Sequence, residues 1–370
     1  MNYMMLNRLS KYERQCLSDM YDELYPKVGI TKSLYEGHTL LNHIDKIINV
    51  YNIVNERLKD STPINDKEIT ISIRIPNYNP YKLTGMYYEI VIPFNELGID
   101  DIIKSKNHNL KLKIFNIDNY EYLPEDIWNK VAGGHLLHTG TDEVENGVYI
   151  QNSNLKQDKM FIDCYALDGD IEPIGFYTVF LHEFNHYVEG FNRVKNNTHI
   201  DFIKSVMKFN SLEKSIKEDK RFFTNKDKAC LNNVLYRLWQ GGEKNSLIGN
   251  LFGELVARKV KDETNLGDLV NNYKLFSTYE NLKEDIQHII DNIEEKDLYN
   301  FFFVCNVYDF ILGNKSVVKM TPHKFKKFFI EHSEDLLKKL YKKGVKFIGD
   351  YLKVVSKFDN NHISKHIYVK

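Results

Sequence analysis

Apolar positions change period twice along this chain. Leu40, Leu41, Ile44, Ile47, Ile48, Tyr51 and Val54 recur at three- and four-residue intervals, the stripe of an amphipathic helix, so residues 1–60 read as helical. From residue 67 the period falls to two. Ile69, Ile71, Ile73 and Ile75 alternate with Thr70, Ser72 and Arg74, the pattern of a half-buried strand. Asn77-Tyr78-Asn79-Pro80 reads as a turn. Tyr87–Pro93 forms the next strand, Leu110, Leu112, Ile114 and Ile117 mark a third, and short strands follow at Val148–Gln151 and Met160–Ala166. Beyond residue 200 the helical period returns. Helices are expected near 200–218, 226–239, 243–262, 278–293, 296–313, 322–342 and 345–357, with Thr321-Pro322 as an N-cap and first-turn proline.

Strands followed by helices predict an α+β fold: a small, mostly antiparallel sheet packed on one central helix, then a helical C-terminal lobe. The expected division is an N-terminal helical segment over 1–60, a sheet-plus-helix lobe over 61–200 and a helical lobe over 201–370. No Gly/Ser- or Pro-rich linker separates them.

The central helix carries the chemistry. Within Val179–Val188 stand His182, Glu183 and His186, spaced as His-Glu-x-x-His. Four residues apart on a helix, two imidazoles project from one face one turn apart and can reach a single Zn²⁺. Glu183 then stands beside the open coordination position as a general base for water. The surrounding residues Val179, Phe180, Leu181, Phe184, Asn185, Tyr187 and Val188 are uncharged, so none competes for the metal. Pro173 lies ahead of the helix and Gly190 suits its C-terminal stop.

A catalytic zinc site takes a third protein ligand. The metzincin pattern, Gly and His three and six residues after the second histidine, is excluded because Glu189 and Asn192 occupy those positions. A glutamate from a later helix remains. Glu243, Leu247, Asn250 and Glu254 share one face of the helix expected at 243–262, and the two carboxylates stand about 16 Å apart, so only one can serve. Glu243 is preferred. It follows Gly241-Gly242 in the first turn, and Ser246, one turn on, is small enough for close approach. Glu254 is the alternative, with His199 and Glu189 behind it. Asn245 is a candidate for hydrogen-bond support, and the Tyr236 phenol for the oxyanion formed in hydrolysis.

These segments carry a family resemblance over about residues 145–260. Val179–Val188 resembles the zinc-helix consensus of the zincin metallopeptidases. Tyr236-Arg-Leu-Trp-Gln-Gly-Gly-Glu243-Lys-Asn-Ser246 is similar to the third-ligand segment of gluzincins, above all the toxin-like lethal-factor branch, with a tyrosine before the ligand glutamate and a small residue three after it. The chain departs from that pattern at Leu247, where an acidic residue is usual. The resemblance implies a zincin-like catalytic unit, Zn²⁺ as cofactor and a protein or peptide substrate.

Composition narrows the alternatives. A net charge of −1 gives no reason to expect a nucleic-acid or membrane partner. The lysines of Lys324–Lys343 alternate with Phe and Leu at helical spacing, as on a solvated face over a buried stripe. No run reaches 18 apolar residues, and the N-terminus carries no apolar signal segment. Cys16, Cys164, Cys230 and Cys305 form no Cys-x-x-Cys pair, which fits reduced thiols. His135, His138 and Asp142 beside Gly133-Gly134 read as a loop, and Glu189 as a solvated last-turn residue. Of 50 basic residues only eight are Arg, a bias that resembles AT-rich coding as in low-GC bacteria or their phages. A cytoplasmic or virion-associated protein is therefore expected. The competing class is a non-enzymatic structural or interaction protein, such as a phage virion component, on a zincin scaffold.

Overall fold

A computed structural model describes residues 40–71, 81–103, 108–117, 159–195, 199–258, 273–304 and 320–355. The turn at 77–80, the strand expected at Val148–Gln151 and the group His135, His138 and Asp142 lie outside the described residues.

The architecture is α+β. Five strands lie side by side in chain order: β1 (Asn65–Ile71), β2 (Tyr81–Pro93), β3 (Asn109–Ile117), β4 (Lys159–Leu167) and β5 (Asp170–Ile171). Neighbours are antiparallel except β3 and β4, which run parallel with Leu112 opposite Ile162. Alternation sends Leu110, Leu112 and Ile114 of β3 and Met160, Ile162 and Cys164 of β4 into the core. Asp168 and Gly169, both at positive φ, close the two-residue turn from β4 to β5, where Asp-Gly is a favoured pair.

Helix α1 (Ile44–Lys59) buries Ile44, Ile47, Ile48, Tyr51, Val54 and Leu58, the face its sequence period indicates. A four-residue helix, α2 (Asp100–Ile103), follows β2. Two side chains of α1 fasten the end of the sheet: Asn55 Oδ1 accepts from Ile171 N at 2.8 Å, and Tyr51 OH donates to Ile171 O at 2.7 Å. They fix the point from which α3 (Pro173–Lys195) departs. Pro173 opens α3 at a position that needs no N–H donor. The carboxylate of Glu172 accepts from Ile174 N at 3.0 Å and Gly175 N at 2.5 Å, capping the helix start. Phe176, Phe180 and Phe184 stack along one buried edge of α3, centroids 5.6 and 5.4 Å apart.

The remaining helices are α4 (His199–Glu218), α5 (Asn225–Val234) continuing into a π-turn (Leu235–Trp239), α6 (Gly241–Ala257), α7 (Lys274–Asn292), α8 (Glu295–Val304) and α9 (Pro322–Val355). The described residues group into two compact units, each discontinuous. A sheet unit takes those within 40–192, 245–276 and 343–355; a helical unit takes those within 193–244 and 277–342. Both units interleave along the chain, where three consecutive segments were expected from sequence. The reason is the second half of α6: added Cβ atoms on Gly249 and Gly253 would lie 2.6 Å from Leu181 O and 2.5 Å from Thr178 N. The two glycines let α6 lie backbone to backbone on α3, which draws a late segment into the sheet unit.

Two helix boundaries also differ from expectation. Gly190 does not end α3, which runs on to Lys195; among the described glycines only Gly98 and Gly169 have the positive φ that a helix-stopping glycine adopts. The helices expected at 322–342 and 345–357 form one 34-residue helix, α9. Gly344, at the expected break, lies where a Cβ would meet Leu275 Cδ2 at 2.8 Å, so it makes room for a neighbour within the helix. Among the described residues, no helix is long and apolar enough to cross a membrane.

Candidate metal and catalytic site

Helix α3 presents His182 and His186 on one face, ring centroids 4.9 Å apart and planes at 76°. Glu183 turns back toward the first ring, its Oε1 3.7 Å from His182 Nε2, and its side chain is 12 % exposed. The stacked Phe176–Phe180–Phe184 edge lies on the buried side of the same helix, so packing fixes which face carries the imidazoles.

Helix α6 supplies a partner to each ring. Asn250 Oδ1 lies 3.0 Å from His182 Nδ1, and Ser246 Oγ lies 2.8 Å from His186 Nε2 and 3.2 Å from its Nδ1. Asn250 is 8 % exposed and Ser246 fully buried. An amide oxygen only accepts, so Nδ1 of His182 donates to Asn250, and Nε2 is the nitrogen beside Glu183. Two imidazoles, one oriented by a hydrogen bond and flanked by a carboxylate, fit the donor chemistry of a Zn²⁺ site.

The structure thus brings His182, Glu183 and His186 together with Ser246 and Asn250. Glu254, the alternative third ligand, is engaged elsewhere. It is 4 % exposed, and its carboxylate accepts from Lys274 N at 3.1 and 3.3 Å, capping the first turn of α7. Its position follows from helix direction: Ser246 meets His186, Gly249 meets Leu181 and Gly253 meets Thr178, so α6 runs antiparallel to α3 and Glu254 lies past the far end of the histidine pair. Burial pushes the Glu254 carboxyl up to about 7. Glu243 stands in the first turn of α6, three residues before Ser246; its side chain, like those of Asn245 and Glu189, lies outside the described residues. Tyr236 belongs to the helical unit, in the π-turn, and is 42 % exposed. Among the described residues, no group of three or more His, Cys, Asp or Glu side chains is set to hold a metal ion.

Sequence reasoning assigned Ser246 only to close approach and placed Asn250 on a face without giving it a partner. The signal was present. Positions 246 and 250 repeat the four-residue step of 182 and 186, and Gly249 and Gly253 mark a helix face able to touch another backbone. Asn185, inside the motif, is fully buried with no hydrogen-bond partner for either Oδ1 or Nδ2. No protein-family model, curated protein or solved structure matches the chain.

Proposed function

We propose that the chain is a zinc-dependent peptide hydrolase built on a zincin-like unit. His182, His186 and Glu243 would hold the metal, with Glu183 as the general base and Tyr236 as a donor to the oxyanion. One observation carries the reading: two imidazoles share an α3 face, with Glu183 beside the first and Asn250 orienting that ring through its Nδ1. Glu254 is engaged in capping α7, which favours Glu243 as the third ligand. Bound zinc lowers the pKa of a water towards ~7 and polarises the scissile carbonyl. Glu183 would take the proton of the attacking water and pass it to the departing amine nitrogen. The Tyr236 hydroxyl donates to the carbonyl oxygen as charge develops there.

Metal content and hydrolysis of an unfolded protein substrate test this. Wild type, Glu183→Gln and Glu254→Ala should hold about one zinc per chain, while His182→Ala and Glu243→Ala lose it. Hydrolysis should survive only in wild type and Glu254→Ala. Unchanged zinc content in His182→Ala, or full activity in Glu183→Gln, would sink the proposal. Full zinc occupancy with no cleavage, in a protein found at fixed stoichiometry in virions, would favour the scaffold reading.

A further inference from the structure

We infer that α6 is an orienting strut for the histidine pair, with Asn250 and Ser246 as positioning residues whose register is clamped by Gly249 and Gly253. The metal-directed part of this inference rests on the zinc reading above; the orienting part does not. Two helices that cross antiparallel with matching four-residue steps bring two residues of one opposite two of the other. Here Ser246 meets His186 and Asn250 meets His182, at 2.8 and 3.0 Å. The pairing is narrow in register. Gly249 and Gly253 lie between and beyond the two polar residues, each backed against α3 main chain at a distance no Cβ tolerates. Sliding α6 by one residue would put a side chain where only hydrogen fits, so the glycines hold both polar residues at their rings.

The identity of the partner matters. Metal-bound histidines commonly give their second N–H to a carboxylate, which both orients the ring and raises its basicity. Asn250 offers a neutral oxygen instead. It fixes the tautomer, with Nδ1 protonated and Nε2 as donor nitrogen, but adds no charge to strengthen the ligand. The chain therefore holds its first histidine in register at a lower metal affinity than a carboxylate partner would confer.

The test uses the full chain, with Asn250→Leu, Asn250→Asp and Ser246→Ala beside wild type and thermal melts to verify folding. Long-range ¹H–¹⁵N correlation on the metal-free protein reports which ring nitrogen of His182 carries the proton. Wild type and Asn250→Asp should both show protonated Nδ1, since both partners only accept, and Asn250→Leu should lose that fixed tautomer. In competition against a chelator, Asn250→Leu should bind zinc about 10–100-fold more weakly, Ser246→Ala should weaken it less, and Asn250→Asp should tighten it. An unchanged His182 tautomer in Asn250→Leu would overturn the inference, and so would zinc affinities within about twofold of wild type in both Asn250 variants. If wild type binds no zinc while the tautomer still follows residue 250, the hydrolase reading fails and the orienting role stands.

Discussion

His182 of the sheet unit and His288 of the helical unit each stand beside a carboxylate, yet the two pairs are built for different ends. His288 Nε2 donates to Asp227 Oδ1 at 2.7 Å, and Asn292 Nδ2 donates to His288 Nδ1 at 3.1 Å. Both nitrogens are engaged, and the ring lone pair is consumed inside the protein. Asp227 also closes a capping box with Thr224, so the pair ties the start of α5 to α7. His182 is held by its Nδ1 edge, and its Nε2 stays 3.7 Å from Glu183, beyond hydrogen-bond length. The His288 pair is part of the scaffold, because it joins two helices of the helical unit. His182 differs in its setting: it shares an α3 face with a second imidazole and has Glu183 beside it, the arrangement the proposed metal site requires.

The sharpest way to break this comparison is to remove the working half of each pair. Glu183→Gln should lower hydrolysis by about 10²–10⁴-fold at unchanged zinc content, because the amide cannot take a proton. His288→Gln should leave kcat/KM within about twofold of wild type and cost on the order of 2 kcal/mol in denaturant unfolding, the loss of a hydrogen bond to a buried carboxylate. Equal losses of activity in the two variants would erase the distinction.

A second contrast separates the packing of the units. In the helical unit large rings fill the core: Trp239 stacks on Phe329 at 5.2 Å and gives its Nε1–H to Ser333 Oγ at 2.9 Å. The α3–α6 contact of the sheet unit is made instead by backbone against glycine. Gly253→Ala should therefore destabilise by about 1–3 kcal/mol, because its Cβ would fall 2.5 Å from Thr178 N, a backbone atom that cannot turn aside. A melting temperature equal to wild type would show that α6 lies further from α3.

The start of α3 is sensitive to pH. Burial pushes the Glu172 carboxyl from its ordinary 4.5 up to about 7, against the helix N–H bonds and Arg258, which pull it down. A carboxyl raised in the folded state binds its proton more tightly there than in the unfolded chain. Its contribution to stability is then full below about 4.5 and is lost as pH rises through 7. Glu172→Gln should remove this slope, narrowing the difference in unfolding free energy between pH 5 and pH 8 by on the order of 2 kcal/mol. An unaltered slope would mean that Glu172 ionises as in solvent.

Much of the sheet unit was legible because its signals are local. The period-two run of isoleucines marked β1, short apolar runs marked β2, β3 and β4, the three- and four-residue stripe marked α1, and the His-Glu-x-x-His spacing set two imidazoles and a carboxylate along one helix. What escaped depends on contacts distant in sequence. Gly190 read as a helix end and a break was expected between 342 and 345, because a glycine that ends a helix and one that admits a neighbour look alike in a single chain. Glu254 read as a candidate ligand because its face is right; only the direction of α6 against α3 shows it capping α7 instead. Asn250 acquires meaning only once His182, 68 residues earlier, lies opposite it.

The smallest expected effect concerns Asn185. Its neighbour positions do visible work, with His182 and His186 held from α6, whereas the Asn185 carboxamide is fully buried and neither of its polar atoms finds a partner. A buried amide without hydrogen bonds forfeits those it made to water in the unfolded chain, a cost of about 1–3 kcal/mol. Leucine is close in shape and carries no such debt. If Asn185 is only packing, Asn185→Leu should be neutral or stabilising by up to about 1 kcal/mol, with zinc content unchanged. If its carboxamide bonds a group that arrives with the metal, the same variant should lose zinc affinity while its metal-free melting temperature holds or rises. Melting the protein with and without zinc therefore decides whether the silent residue of the motif belongs with the latched histidine of the helical unit, as scaffold, or with the oriented one beside it.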